Sequence, residues 1–342
     1  MKRTFLLLFP IFLAGCGEIS YISHLGWHQG YIHYYSISVP EVLEQKGIDG
    51  KVKEKILFIQ EVKRYGEERL GLKRTENYSR FFDIRGPVVY IVTACEKDRL
   101  RLRSWRFPIT GEVTYKGFFT REDALHEKRS LDGKGFDTFV QGVGAYSTLG
   151  WFKDPIFSSM LRWDDSSLAN VIFHEMTHAT IYFKGETGLN EQVATFIGNR
   201  ATIDFFKEKY GPTSMEVSRA IDEQEDDLLF SRWVGRACER LSNFYRQEIS
   251  REQKLRDRGN MFLSLKEEFR EMRSQFKTDT YPDLEKTELN NAVLLAYRRY
   301  FHQLDKFEAL YNDLGQDLRK VVEHFRGLQA TGKKADLASL VK

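Results

Sequence analysis

The sequence is short of cysteine, of proline and of any long apolar run, and each shortage excludes something. Three cysteines in 342 residues exclude a disulfide-stapled scaffold and the paired Cys-x-x-Cys spacings of thiolate metal sites. Seven prolines argue against a Pro-rich stalk and leave room for long helices. No stretch approaches the roughly 20 apolar residues that a membrane-spanning helix needs. Charge of one sign is missing too: 52 Lys/Arg against 49 Asp/Glu leave +3. The basic residues alternate with acidic ones along helical stretches, as on a solvated face, so no nucleic-acid partner is implied. Gly-rich phosphate loops and serine-nucleophile elbows are absent. What is there is the composition of an ordinary folded protein, 42% hydrophobic and 30% charged, long enough to bury a large core.

The first residues, "MKRTFLLLFPIFLAGCGE", join a two-residue basic start to a short apolar run and then to small residues before Cys16. That order is a cleavable targeting signal. Leu13-Ala14-Gly15-Cys16 resembles the bacterial lipoprotein signal, which implies removal of residues 1–15, lipidation of Cys16 and anchoring in a lipid bilayer outside the cytoplasm. Gly17 is not the aspartate associated with inner-membrane retention, so the expected place is the periplasmic face of an outer membrane. Residues 16–39 follow as an aromatic segment, "YISHLGWHQGYIHYYSISV" in its main part. It is unlike a flexible tether, and its rings are expected to pack on the protein or near headgroups. With Cys16 lipidated, Cys95 and Cys238 remain in an oxidising compartment where a disulfide is open to them; the expectation is two unpaired buried thiols.

Further along, residues 40–72 have a helical pattern with Leu43, Ile56, Leu57, Ile59 and Val62 as core candidates. "PVVYIVTAC" (87–95), "RFPITGEVTYKGFF" (106–119) and "FDTFVQGVGAYS" (136–147) read as strands, with a short polar helix before the third. "DDSSLANVIFHEMTHATIYF" opens with cap-type residues and predicts a helix to about residue 183. A tight loop at 185–188 leads to a second helix, for which Asn190 is a candidate cap. Residues 213–276 and 285–328 are charged and helical. Strands, then a helical hairpin, then helices make an α+β protein, divided into an α+β region at 40–210 and a largely helical lobe at 211–342. No repeat is evident.

The hairpin carries the chemistry. Residues four apart on a helix share a face, so His174 and His178 in "FHEMTH" can aim both imidazoles at one point. Glu175 lies about 100° around from His174, close enough to reach a water there without being a ligand. Zinc sites with an open position use three His or carboxylate ligands, and Glu191, on the returning helix, can supply the third. A His-Glu-x-x-His match arises by chance in about one chain of this length in a hundred. The helical context and the acid on the second helix make chance a poor explanation, and burying three ionisable groups without a metal is costly. The expected cofactor is one Zn2+ per chain.

This arrangement resembles that of the gluzincins, thermolysin-like metallopeptidases with two histidines and a glutamate as ligands. Their Asn-Glu motif is matched by Asn190-Glu191 within "LNEQVA". The resemblance implies a zincin-like catalytic unit: a small β-sheet with an edge strand, an active-site helix and a glutamate helix. Two departures are plain. The spacing from His178 to Glu191 is shorter, and Thr195 stands where an aspartate orients a ligand in thermolysin. A closer resemblance spans nearly the whole mature chain, to the predicted aminopeptidase family of bacterial lipoproteins. It rests on "WRFPITGEVTYKGFF", "GVGAYSTLGWFKDPIFSSML", "FHEMTHATIY", "GETGLNEQVATFIG" and "NNAVLLAYRRY". The expected activity is hydrolysis of peptide bonds that releases N-terminal residues from a peptide substrate, with Glu175 as the catalytic base; no protein partner is implied.

Other residues are weaker candidates. Gly144, Ala145 and Tyr146 end a strand that would pair with substrate backbone, as an edge strand does in gluzincins. A donor to the developing oxyanion is sought among Tyr297, Tyr300 and His302, and an acid for a free amine at Glu186. His24 and His28 are also four apart, with His33 nearby, but lack an intervening acid and read as a chance pair. An endopeptidase at the same site, and a non-catalytic scaffold or binding lipoprotein held by zinc, stay open as alternatives.

Overall fold

A computed structural model of the chain describes residues 16–107, 111–146, 148 and 153–332; the signal segment at 1–15 lies outside them. Helix α1 (Cys16–Tyr35) comes first, where the sequence pattern assigned no element. After strand β1 (Ile37–Ser38), the predicted helical stretch is split into α2 (Val39–Glu44) and α3 (Gly50–Glu68). The break falls at Gly47, whose φ of +88° is the conformation that favours glycine. Asp49 restarts the helix by accepting from the Lys51 amide at 2.7 Å.

Three small sheets follow. Strand β2 (Arg80–Phe82) lies between β1 and β8 (Ile156–Phe157). Strand β3 (Val89–Glu96) is the centre of an antiparallel sheet, between β6 (Lys116–Phe118) and β7 (Phe136–Val143). The β3–β7 register runs from Val89 opposite Val143 to Glu96 opposite Phe136, so β7 pairs along its whole length on one side and forms an edge of that sheet. Strands β4 (Trp105–Phe107) and β5 (Gly111–Val113) make a separate hairpin. Helix α4 (Arg121–Gly133), capped by Thr120, precedes β7.

The remainder is helical. Asp164 caps α5 (Asp165–Thr180), accepting from the Ser167 amide at 2.8 Å, as the cap-type residues predict. Helix α5 packs along α6 (Thr187–Tyr210), which is buried over most of its length. Helices α7 (Met215–Tyr245), α8 (Arg251–Met272), α9 (Pro282–Lys286), α10 (Asn291–Tyr300), α11 (Leu304–Asp313) and α12 (Leu318–Ala330) complete a mixed α+β fold with a largely helical C-terminal region. One core cluster gathers Ile59, Phe173, Phe206, Phe307 and Phe325, so α11 and α12 share a core with the α5–α6 pair. A second is built on Phe230, Trp233, Leu265 and Phe269 and takes in both Cys95 and Cys238, which are free and buried.

The "NNA" stretch earns its place structurally. Asn290 caps α10, accepting from the Val293 amide at 3.0 Å. Asn291, fully buried, donates to Glu96 O at 2.8 Å, accepts from the Tyr245 hydroxyl at 3.0 Å, and its backbone N–H reaches Asp137. Asp137 also takes both arms of Arg258 at 2.7 and 2.8 Å. These bonds lock α10 against β3 and β7 and thereby set the position of Tyr300 at the end of α10.

Candidate metal centre and its cleft

Helix α5 presents His174 and His178 from consecutive turns, and α6 returns alongside to present Glu191. The turn between them is held by Asn190. This residue is not the cap of α6, a position taken by Glu186 without a side-chain hydrogen bond. Instead the buried Asn190 amide accepts from Phe183 N and donates to Phe183 O, both at 2.8 Å. The Phe183 N–H is thus satisfied, its C=O is shared with the Glu186 amide at 3.1 Å, and Glu191 is fixed in the next position along. The helix α5 ends at Thr180, three residues before the expected end, and the last turn is pulled in by Thr177 and Thr180 hydroxyls donating to Phe173 O and Met176 O.

His174 Nε2 and His178 Nε2 lie 3.1 Å apart, and each is 3.2 Å from Glu191 Oε2. Among the described residues these three form the one cluster of three or more metal-ligating side chains. A tetrahedral site with bonds of about 2.0–2.1 Å spaces neighbouring ligand atoms about 3.3–3.4 Å apart, close to what is seen. The donor set itself asks for a cation. Two imidazole nitrogens and a carboxylate oxygen converge on one point, and protons on both nitrogens would face each other at 3.1 Å. Burial would raise the Glu191 carboxyl, but His178 and His174 outweigh it and hold it well below the usual carboxylate range. Burial would lower His178; the Glu191 charge overrides that and raises it. The cluster fits a divalent metal ion.

The cluster sits in the wall of a cleft of about 1180 Å³. Glu175 lines the same cleft beside His174 and is buried, which raises its carboxyl despite the two imidazoles. Behind it stands Asp154, a buried acid whose carboxylate accepts from the Thr148 amide and hydroxyl at 3.0 and 2.7 Å and from the Asn77 amide at 3.2 Å. Burial, more than those donors can offset, pushes it up to about 7, with the Glu175 charge adding to the rise.

Of the tentative candidates, the cleft gathers Gly144, Ala145, Tyr146, Tyr297 and Tyr300. Gly144 lies against the Trp163 indole, which a Cβ would strike. The Tyr146 hydroxyl donates to Gln29 Oε1 at 2.6 Å, so it is held by α1. Tyr300 has its ring centroid 6.2 Å from that of His174. Tyr297 packs edge-on to Phe230 at 5.3 Å, towards the helical core. His302 contacts Arg298 at 3.3 Å, and burial with the Arg298 charge lowers it to about 4. Neither His302 nor Glu186 lines the cleft. His24 and His28 approach each other at 3.0 Å on α1.

A family profile described as "Putative aminopeptidase" matches residues 20–340. The chain belongs to this family. The family's description makes the protein a peptidase at the level of class. No curated protein and no solved structure matches the chain.

For a member of this family, three parts of the cleft were missed in the sequence. Tyr115 and Tyr182 line it near Glu191, whose charge, after burial, raises both hydroxyls. The Arg299 guanidinium lies 4.7 Å over the Tyr115 ring and donates to Thr93 at 2.9 Å. Helix α1 supplies Tyr21, Leu25 and Gln29 to one wall. Beyond the cluster the wall turns polar: Asn170 donates to Asn199 at 2.6 Å, and Asn199 to Asp227 at 2.8 Å. A signal for this last part was present. Glu191, Thr195, Asn199 and Thr202 recur at helical spacing along α6 and line the cleft with Asn170, His174 and His178 of α5.

Proposed function

We propose that the protein is a zinc-dependent peptidase that removes residues from the free N-termini of peptides, and that an acylated Cys16 anchors it outside the cytoplasm. The observation that carries the reading is the convergence of His174, His178 and Glu191 at 3.1–3.2 Å in the wall of a large cleft that Glu175 also lines. His174, His178 and Glu191 would hold the zinc, which when bound supplies Lewis acidity towards the scissile carbonyl and the attacking water. With three protein ligands in a cleft wall, a position is left for reactants, unlike a closed four-ligand structural site.

Glu175 takes a proton from the attacking water and delivers it to the departing amine. Tyr300 donates to the oxyanion that develops on the carbonyl. Its support is its place beside His174, with 6.2 Å between ring centroids; burial and the Glu191 charge raise its hydroxyl despite Arg299, so the phenol keeps the proton it would donate. The free edge of β7, continuing through Gly144 and Ala145, binds the peptide backbone by strand addition. Removal of N-terminal residues rests on the family's description.

The test is mass spectrometry of a peptide library incubated with zinc-loaded protein. Stepwise loss of single N-terminal residues supports the proposal, and internal cleavage would replace it with an endopeptidase at the same site.

A further inference from the structure

Helix α1 carries a single Asp, Glu, Lys or Arg residue, Glu18, in 20 residues, whereas 30% of the whole chain is charged. The protein covers one side of this helix. Tyr21, Leu25 and Gln29 recur every four residues and line the cleft, with Ile32 buried beside them. About 180–240° around the helix from Leu25, Trp27, Tyr31 and Tyr34 recur at spacings of four and three, flanked by Tyr35. These four side chains are 72%, 48%, 79% and 58% exposed. Of nine large hydrophobic side chains exposed among the described residues, five belong to α1. The concentration needs an occupant.

The chemistry of the face selects one. It holds Trp and Tyr, rings with a polar tip, and no Leu, Phe or Met, which is the composition found where a protein meets lipid headgroups. The helix contains Cys16, the residue proposed to carry the lipid. No helix among the described residues is long and apolar enough to cross a membrane, so contact is with the surface of the bilayer. We infer that α1 lies along the bilayer, with Trp27, Tyr31 and Tyr34 at headgroup level. Because its other face lines the cleft, one helix diameter, about 10–12 Å, separates the metal centre's cleft from lipid. The enzyme would then act on peptide ends held at the membrane surface.

The test uses the chain from Cys16 onward, made without acyl groups, floated with phosphatidylcholine vesicles. Acylation of Cys16 is read separately by mass, so failure of one does not imply failure of the other. The unacylated chain is expected to float with the vesicles, and Trp27→Ser/Tyr31→Ser/Tyr34→Ser together should lower the bound fraction about tenfold or more. Tyr34→Ser alone, at the most exposed of the three, should give a smaller loss with unchanged thermal unfolding. Failure of the parent chain to float, or equal flotation of the triple variant, would overturn the inference. So would a dimer that the triple variant abolishes, since a second copy would then be the occupant.

Discussion

Asp154 illustrates how a residue at this site is set by its surroundings. Its carboxyl stands at about 7 in the folded chain, from an ordinary value of 3.8. Below about pH 4 both folded and unfolded forms hold the proton, and nothing depends on it. As pH rises from about 4 to about 7, the unfolded chain releases the proton while the folded chain keeps it, so stability falls; above about 7 the loss is complete. The size is on the order of 4 kcal/mol. Urea unfolding from pH 5 to pH 8 should therefore show falling stability, and Asp154→Asn should flatten that slope; an unchanged slope would refute the account. Tyr300→Phe tests the oxyanion donor. It should lower kcat by about 10²–10³-fold, whereas Tyr297→Phe, at a ring packed against Phe230, should leave kcat within a few-fold. His174, Glu175, His178 and Glu191 were legible in the sequence because a helix fixes the direction of residues four apart. Asp154 and Tyr115 were not, since their closeness to Glu175 and Glu191 is made only when separate strands and loops come together.

At the scale of elements, the hairpin of α5 and α6 does the positioning, and Asn190 is its clasp. Asn190→Ala would leave the Phe183 N–H without its partner, while the Phe183 C=O still accepts from the Glu186 amide at 3.1 Å, a cost of roughly 1–3 kcal/mol. The same change should weaken metal affinity, because Glu191 follows directly. Equal metal affinity by competition with a chelator would show that the clasp does not position the ligand. The helices α5 and α6 were readable from caps and apolar period, and the β3–β7 pair from its β-branched run. Helix α1 was not readable: an aromatic stretch with three glycines and a single charged residue has no clear polar face, so periodicity gives no sign of it. Asn190 was read as a cap because Asn before a helix usually is one. The cap position instead falls four residues earlier, at Glu186, which turns the Asn190 side chain inward onto the loop.

For the molecule as a whole, the metal cluster ties α5 to α6 and the cleft ties both to α1, β3 and α10. A ligand that binds only the folded chain stabilises it by about 4 kcal/mol at a thousand times its dissociation constant. Zinc should therefore raise the unfolding midpoint by several degrees, and His178→Ala should abolish the shift. The C-terminal helices were legible as helices, but not their packing on the α5–α6 core, which depends on contacts far apart in sequence. The most direct test of the central claim compares parent chain and Glu175→Gln on one peptide library, with bound zinc quantified in both. The account predicts one zinc in each, with cleavage falling about 10²–10⁴-fold in the variant. Undiminished cleavage by a zinc-loaded Glu175→Gln protein would contradict it.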